Sequence, residues 1–133
     1  MIIDAKDMVL GRIATVAAKK SLLGEKVDIV NCSKAIITGK KEHLIEETKR
    51  RKDQGTFKGP FIPKSPDRFV RRVIRGMLPY KQDKGKLAFK RVMCYNGMPK
   101  ELEGKETEKI KGAHISKMKN QYYLSIEEIC KKI

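Results

Sequence analysis

The apolar positions at the start of the chain change period twice. Ile2 and Ile3 open a short apolar run that ends near Ala5. Leu10, Ile13, Ala14 and Ala17 then recur at helical spacing, with a helix start near Asp7 and Gly24 to close it. Val27-Asp28-Ile29-Val30 is short and β-branched, which suits a strand. Strand, helix and strand of these lengths predict a right-handed βαβ unit, and so a parallel sheet. Ala35 to Gly39 predicts a further strand or strand edge, and Lys40 to Lys52 a polar helix.

Ser65-Pro66-Asp67 carries a second helix start: a capping serine, a proline at the first helical position and an acid in the first turn. Val70, Val73, Ile74 and Met77 form the inward stripe of that helix, which Gly76 and Pro79 end. Gly85 to Arg91 predicts a shorter helix with Leu87 and Ala88 inward, and Val92 to Tyr95 a last central strand before an Asn96-Gly97 turn. After Pro99 the alternation of Glu and Lys predicts an extended surface connection. Ile110 to Leu124 shows no clear period. Ser125 followed by Glu128 is a capping box, and Ile126, Ile129, Cys130 and Ile133 give the last helix its apolar stripe. The 133 residues suit one domain, with a core over 1–99 and an extension over 100–133.

Charge changes this picture at one place. The stretch from Lys49 to Arg91 holds fifteen of the 31 Lys and Arg residues but only Asp53, Asp67 and Asp83, so it carries +12 of the net +15. Cations crowded like this repel one another, and a polyanion relieves the repulsion. At its centre Arg68, Arg71, Arg72 and Arg75 share one helix face opposite the apolar stripe. Their planar forks suit phosphate oxygens. A solvated basic face is the bland reading, but the flanks weigh against it. Lys49, Arg50, Arg51 and Lys52 lie upstream, Lys58 and Lys64 sit in the Gly- and Pro-rich loop from Asp53 to Lys64, and Lys81, Lys84, Lys86, Lys90 and Arg91 lie downstream. Phe57 and Phe61 punctuate that loop. We read them as staples to the core, with stacking on an exposed base as the alternative.

The chemistry of catalysis is missing. Thr38-Gly39-Lys40-Lys41 fails as a phosphate loop, because Lys34 stands where the first glycine belongs and Lys41 where a hydroxyl would hold magnesium. The turn from Lys6 to Gly11 lacks a dinucleotide fingerprint. His43 and His114 stand in weak contexts, and Cys32, Cys94 and Cys130 are too scattered for a zinc site or a disulfide framework. No enzyme activity, metal, cofactor or small-molecule substrate is expected. No apolar run reaches the roughly 20 residues that span a bilayer, and no signal peptide is evident, so the expected place is the cytoplasm.

Several linked motifs resemble one family. Gly11-Arg12-Ile13-Ala14, Val30-Asn31, Ile37-Thr38-Gly39, Gly59-Pro60-Phe61, Arg75-Gly76-Met77-Leu78-Pro79, Gly85 and Val92-Met93-Cys94-Tyr95-Asn96-Gly97 are similar in order and spacing to large-subunit ribosomal protein thirteen, in its archaeal and eukaryotic branch. The likeness covers Met1 to about Pro99. Cys94 stands where an aliphatic residue is usual and Tyr80 where the related branch often has histidine. The resemblance implies an α/β fold, a three-layer α/β/α sandwich on a four-stranded parallel sheet, with the basic loop and helix as an extension. It also implies a structural role in the large ribosomal subunit, on large-subunit rRNA and beside neighbouring ribosomal proteins. A free RNA-binding regulator acting off the ribosome is the alternative. An RNA-modifying or nucleotide-dependent enzyme and a membrane-surface module are weaker rivals. The first lacks a cofactor fingerprint, and the second would need the apolar stripe that the core requires.

Overall fold

In the computed structural model, which describes residues 1–133, the chain runs β1 (Ile2–Asp4), α1 (Leu10–Leu22), β2 (Val27–Val30), β3 (Ile36–Thr38), α2 (Lys41–Asp53), α3 (Pro66–Met77), α4 (Asp83–Lys90), β4 (Val92–Cys94), β5 (Tyr123–Ser125) and α5 (Ile126–Lys132). The fold is mixed α/β. β1, β2 and β4 form a parallel sheet in the order β1-β2-β4, with Ile3, Ile29 and Cys94 side by side. Ile3, Val27, Ile29, Val92 and Cys94 share one apolar core with Ile13, Ala14 and Ala17 of α1, Val70 and Ile74 of α3 and Ala88 of α4. The βαβ unit read from the sequence is therefore present, and its helix lies against α3 and α4.

The sheet departs from the four parallel strands implied by resemblance. It has three, and β2 rather than β4 is central. After β2 the backbone enters the left-handed region at Asn31 (φ 57°) and makes a tight turn over Cys32–Lys34. That turn carries β3 off the sheet, where it pairs antiparallel with β5, Ile37 opposite Leu124. β5 fell within a segment without readable period. Its three residues are too few to show one.

The segment after Pro99 is more than a surface connection. Glu108 donates its N–H to Ile2 O (2.7 Å) and its carbonyl accepts from Asp4 N–H (3.2 Å), so this segment runs along the free edge of β1. Leu102 and Ala113 are buried beyond it. The charges that suggested a solvated loop face outward from a paired backbone, a common way to guard a sheet edge. The last helix keeps its predicted start: Ser125 Oγ accepts from Glu128 N–H at 3.3 Å. Ile126, Ile129 and Cys130 are buried.

Two apolar assignments reverse. Leu87, expected inward on α4, is 53% exposed, and Met77, at the end of the α3 stripe, is 43% exposed. α4 is short and meets the core through its small residues, Gly85 and Ala88, while the larger side chain points away.

Candidate nucleic-acid interface

The start of α3 is held by a residue far along the chain. Ser65, the residue expected to cap, instead donates its hydroxyl to the Asp67 carboxylate. The Asp67 N–H is satisfied by Asn96 Oδ1 at 2.8 Å. The same motif fastens the turn after β2. Gly97 O accepts from Asn31 N–H (3.1 Å), Tyr95 O from Cys32 N–H (3.0 Å) and Asn96 O from Ser33 Oγ (2.8 Å). Tyr95, Asn96 and Gly97 thus fix where the arginine helix begins. At its other end Leu78 is buried and Gly85 packs against the backbone of Pro79. A Cβ on Gly85 would lie 1.9 Å from Pro79 O, so only glycine lets α4 approach this turn.

Between these fixed ends Arg68, Arg71, Arg72 and Arg75 converge on one open depression of about 430 Å³, with Pro63 and Phe89 on its rim. The helical spacing foretold the shared face, but the four are not equivalent. Arg68 is exposed and has no partner within the chain. Arg75 is exposed over the Tyr80 ring, 5.0 Å from its centroid. Arg72 donates Nη1–H to Phe61 O (3.3 Å) and so holds the loop to the helix. Arg71 is turned inward. Its Nε–H donates to Val92 O (3.1 Å) and Nη2–H to Phe89 O (3.4 Å), and its guanidinium lies 4.4 Å from the Phe89 ring centroid. Read as a phosphate ligand equal to the others, Arg71 instead joins α3 to α4 and β4.

The flanking cations also divide. Glu47 on α2 takes Arg50 through two bonds (3.0 and 2.9 Å) and Arg51 through a third (2.9 Å). Those hydrogen bonds hold its carboxyl down to about 2. Lys52 donates to Ile133 O at 2.8 Å, and Lys86 lies 3.7 Å from Asp83. Lys49, Lys58, Lys64, Lys81 and Lys84 are exposed and form no ion pair. Lys41 and Lys132 belong to the same surface but were missed. Lys132 is pushed below its ordinary value, first by Lys41 beside it, then by burial, with Lys49 adding to it. They lie outside the dense stretch, and only the packing of α5 against α2 brings them to it. Phe57 and Phe61, expected as staples, are 89% and 72% exposed.

Gly11 and Gly76 sit within α1 and α3 with no heavy atom near the place of a Cβ. Arg12 bonds Gly112 O and so ties α1 to the C-terminal segment. No helix is long and apolar enough to cross a membrane, and no three His, Cys, Asp or Glu residues stand close enough to hold a metal ion. The three cysteines are buried and free.

Comparison with known proteins places the chain in one family. The family model for Ribosomal protein L13 matches residues 1–101, which include both motifs that fix the ends of α3. The chain is 41% identical to the large ribosomal subunit protein uL13 of Archaeoglobus fulgidus over 130 residues, 96% of this chain and 83% of the relative. It is 42% identical to that of Methanopyrus kandleri over 135 aligned positions (99% and 85%) and 44% identical to that of Thermoplasma acidophilum over 118 (88% and 87%). With both ends of the arginine helix inside the matched region and relatives covered over most of their length, the chain belongs to the ribosomal protein L13 family.

Proposed function

We propose that this chain is a structural constituent of the large ribosomal subunit that binds rRNA through the surface of α2, α3 and the loop between them. The observation that carries the reading is the convergence of four arginines on one depression, on a helix whose two ends are fixed by family motifs. Arg68 and Arg75 are the phosphate ligands there, and Arg72 reaches the same depression while holding the loop. Lys58 and Lys64 extend the footprint on one side, and Lys81 and Lys84 on the other. Lys49 joins them from α2. Contacts run mainly to backbone and shape, because side chains do not read the deep major groove of paired RNA.

Of the thirteen cations read from the sequence as RNA ligands, six are engaged within the chain: Arg50, Arg51, Lys52, Arg71, Arg72 and Lys86. Seven are free: Lys49, Lys58, Lys64, Arg68, Arg75, Lys81 and Lys84. About seven neutralised phosphates correspond to a log–log salt slope of about −5 to −6, a loss of about 10³- to 10⁴-fold between 50 and 200 mM salt. Filter binding to deproteinised large-subunit rRNA measures that slope, and a flat dependence refutes the phosphate reading. Sedimentation of a salt-washed extract tests the ribosomal one: the chain should travel with the large subunit rather than as a free small protein.

A further inference from the structure

Two large aromatic rings stand in water in the loop between α2 and α3, which also carries Lys58 and Lys64. Phe57 is at the tip of a tight turn that closes on itself: Gly59 N–H donates to Thr56 O (3.0 Å) and Thr56 Oγ1 to Gly59 O (3.3 Å). Gly59 is in the left-handed region (φ 96°), and a Cβ there would lie 3.3 Å from the Phe61 ring, so that ring lies over the glycine. Arg72 clamps Phe61 O. The Phe61 ring is therefore held in place without being buried, and the closed turn fixes the backbone that carries Phe57. Between them and the end of α2 opens a cleft of about 640 Å³ lined by Lys52, Thr56, Phe57, Phe61, Ile62 and Lys64. That is within the roughly 300–1,000 Å³ of sites for small organic groups.

A phenylalanine ring in water carries an unfavourable hydration cost that burial against a partner relieves, and Phe57 and Phe61 are the two most exposed large hydrophobic side chains of the chain. The occupant that relieves this cost must present an apolar face and carry negative charge, because Lys52 and Lys64 line the cleft and the exposed Lys58 follows Phe57 in the chain. An unpaired nucleotide does both: its base has a π-face and its phosphate meets the ammonium groups. The geometry points to this cleft as the seat of an unstacked rRNA nucleotide, its base laid on Phe57 or Phe61 and its phosphate on the loop lysines. Asp53 also opens on the cleft, where an exocyclic amino group rather than a phosphate is its match. The inference rests on the rRNA-binding reading and adds to it a contact that depends on base stacking rather than on charge.

The chain contains no tryptophan, so Phe57→Trp creates a single reporter in the full-length protein. The test titrates this variant with deproteinised large-subunit rRNA while filter binding runs in parallel. Stacking quenches the indole emission strongly as binding saturates. Phe57→Ala and Phe61→Ala weaken binding by about 5- to 150-fold for the ring that stacks, with the salt slope unchanged. Phe57→Leu and Phe61→Leu, which keep apolar bulk without a π-face, behave like the alanine variants. Lys58→Ala instead flattens the slope by about 0.7 to 0.9. Unchanged emission and full affinity in all four ring variants overturn the stacking contact and leave the rRNA reading intact. A blue shift with rising intensity, or rescue of affinity by leucine, overturns it as well, because apolar bulk rather than a π-face then carries the contact. Absence of saturable rRNA binding in the wild type sinks both readings together.

Discussion

Gly85→Ala sets helix propensity against a backbone contact, and the two demand opposite signs. Gly85 lies within the first turn of α4 at a position with ordinary helical backbone. Propensity alone makes alanine about 1 kcal/mol more stable there. The structure puts the new Cβ 1.9 Å from Pro79 O, 2.3 Å from Pro79 C and 2.9 Å from Tyr80 N. These are main-chain atoms and cannot rotate away. α4 or the turn must retreat by at least about 1 Å to restore a tolerable contact, in a core packed to crystal-like density. Overpacking of this kind costs about 1–3 kcal/mol, sometimes more, and a rigid obstruction belongs at the upper end. The net expectation is a loss of about 2 kcal/mol or more, or a melting temperature lower by very roughly 6–12 °C for a domain of this size. Gly76→Ala is the matched control: also helical, but with open space at the Cβ, it should gain about 0.5–1 kcal/mol. Urea unfolding followed by far-ultraviolet circular dichroism gives both midpoints. Gly85→Ala as stable as the wild type, at unchanged m, would falsify the argument. Gly76→Ala carries a second readout: if RNA lies against α3 where the glycine opens the surface, the variant is more stable yet binds rRNA less well.

Three further perturbations separate the roles of individual groups. Arg68→Glu with Arg75→Glu should leave stability within about 0.5 kcal/mol and flatten the rRNA salt slope by about 1.4 to 1.8. Arg71→Glu should instead lower stability by about 2 kcal/mol, because it strands the carbonyls of Val92 and Phe89; a stable Arg71→Glu protein with crippled rRNA affinity would reverse the assignment. Glu47, held down to about 2 by Arg50 and then Arg51, adds stability that is present above its ordinary value near 4.5 and is lost as pH falls through about 2. Its carboxyl resonance should titrate near 2 in the free protein, and a midpoint near 4.5 would show that the arginines are not on it. Burial pushes the Cys130 thiol up to about 11 from 9.0, so the unfolded chain ionises first and stability declines between about pH 9 and 11. The fall of melting temperature across that range should be shallower in Cys130→Ala but not abolished, because the Cys94 thiol is pushed up as well, first by its contact with Cys32 and then by burial; an identical fall in the two proteins would refute it.

Elements of the fold were legible where a repeat of burial is written in few, regularly spaced residues. Leu10, Ile13, Ala14 and Ala17 gave α1, Val27 to Val30 gave β2, and Ser125 with Glu128 gave the start of α5, because each signal is local. The path of β3 was not legible. Ile36 and Ile37 read equally well as a fourth parallel strand or as one arm of an antiparallel pair. The choice is made by Asn31 at positive φ and by a partner strand almost ninety residues away. β4 took the open edge of β2 for the same kind of reason, with Tyr95 N–H bonding Ile29 O across the end of the pair.

The site divides along a different line. Spacing on a helix shows which residues share a face, and it placed Arg68, Arg71, Arg72 and Arg75 correctly around one depression. It does not show which of them has a carbonyl within reach. Arg71 has two, because α4 ends and β4 begins beside it, so a side chain that seemed to face outward became a brace. The phenylalanines fail in the opposite sense. Two aromatics among prolines argued for an anchored loop, but Asp53 to Lys64 has too little apolar surface of its own to cover two rings, and Phe57 stands on the Thr56–Gly59 turn with its side chain in water. Net charge counts cations without asking which are already answered, so +12 over one stretch overstates the free positive surface: Glu47 alone answers two arginines. On the proposed rRNA reading, the surface left to the polyanion comprises the seven unanswered cations of the stretch together with Lys41, Lys132 and two unburied rings. If the proposed stacking holds, selectivity rests more on Phe57 and Phe61 than on how many positive charges the chain carries.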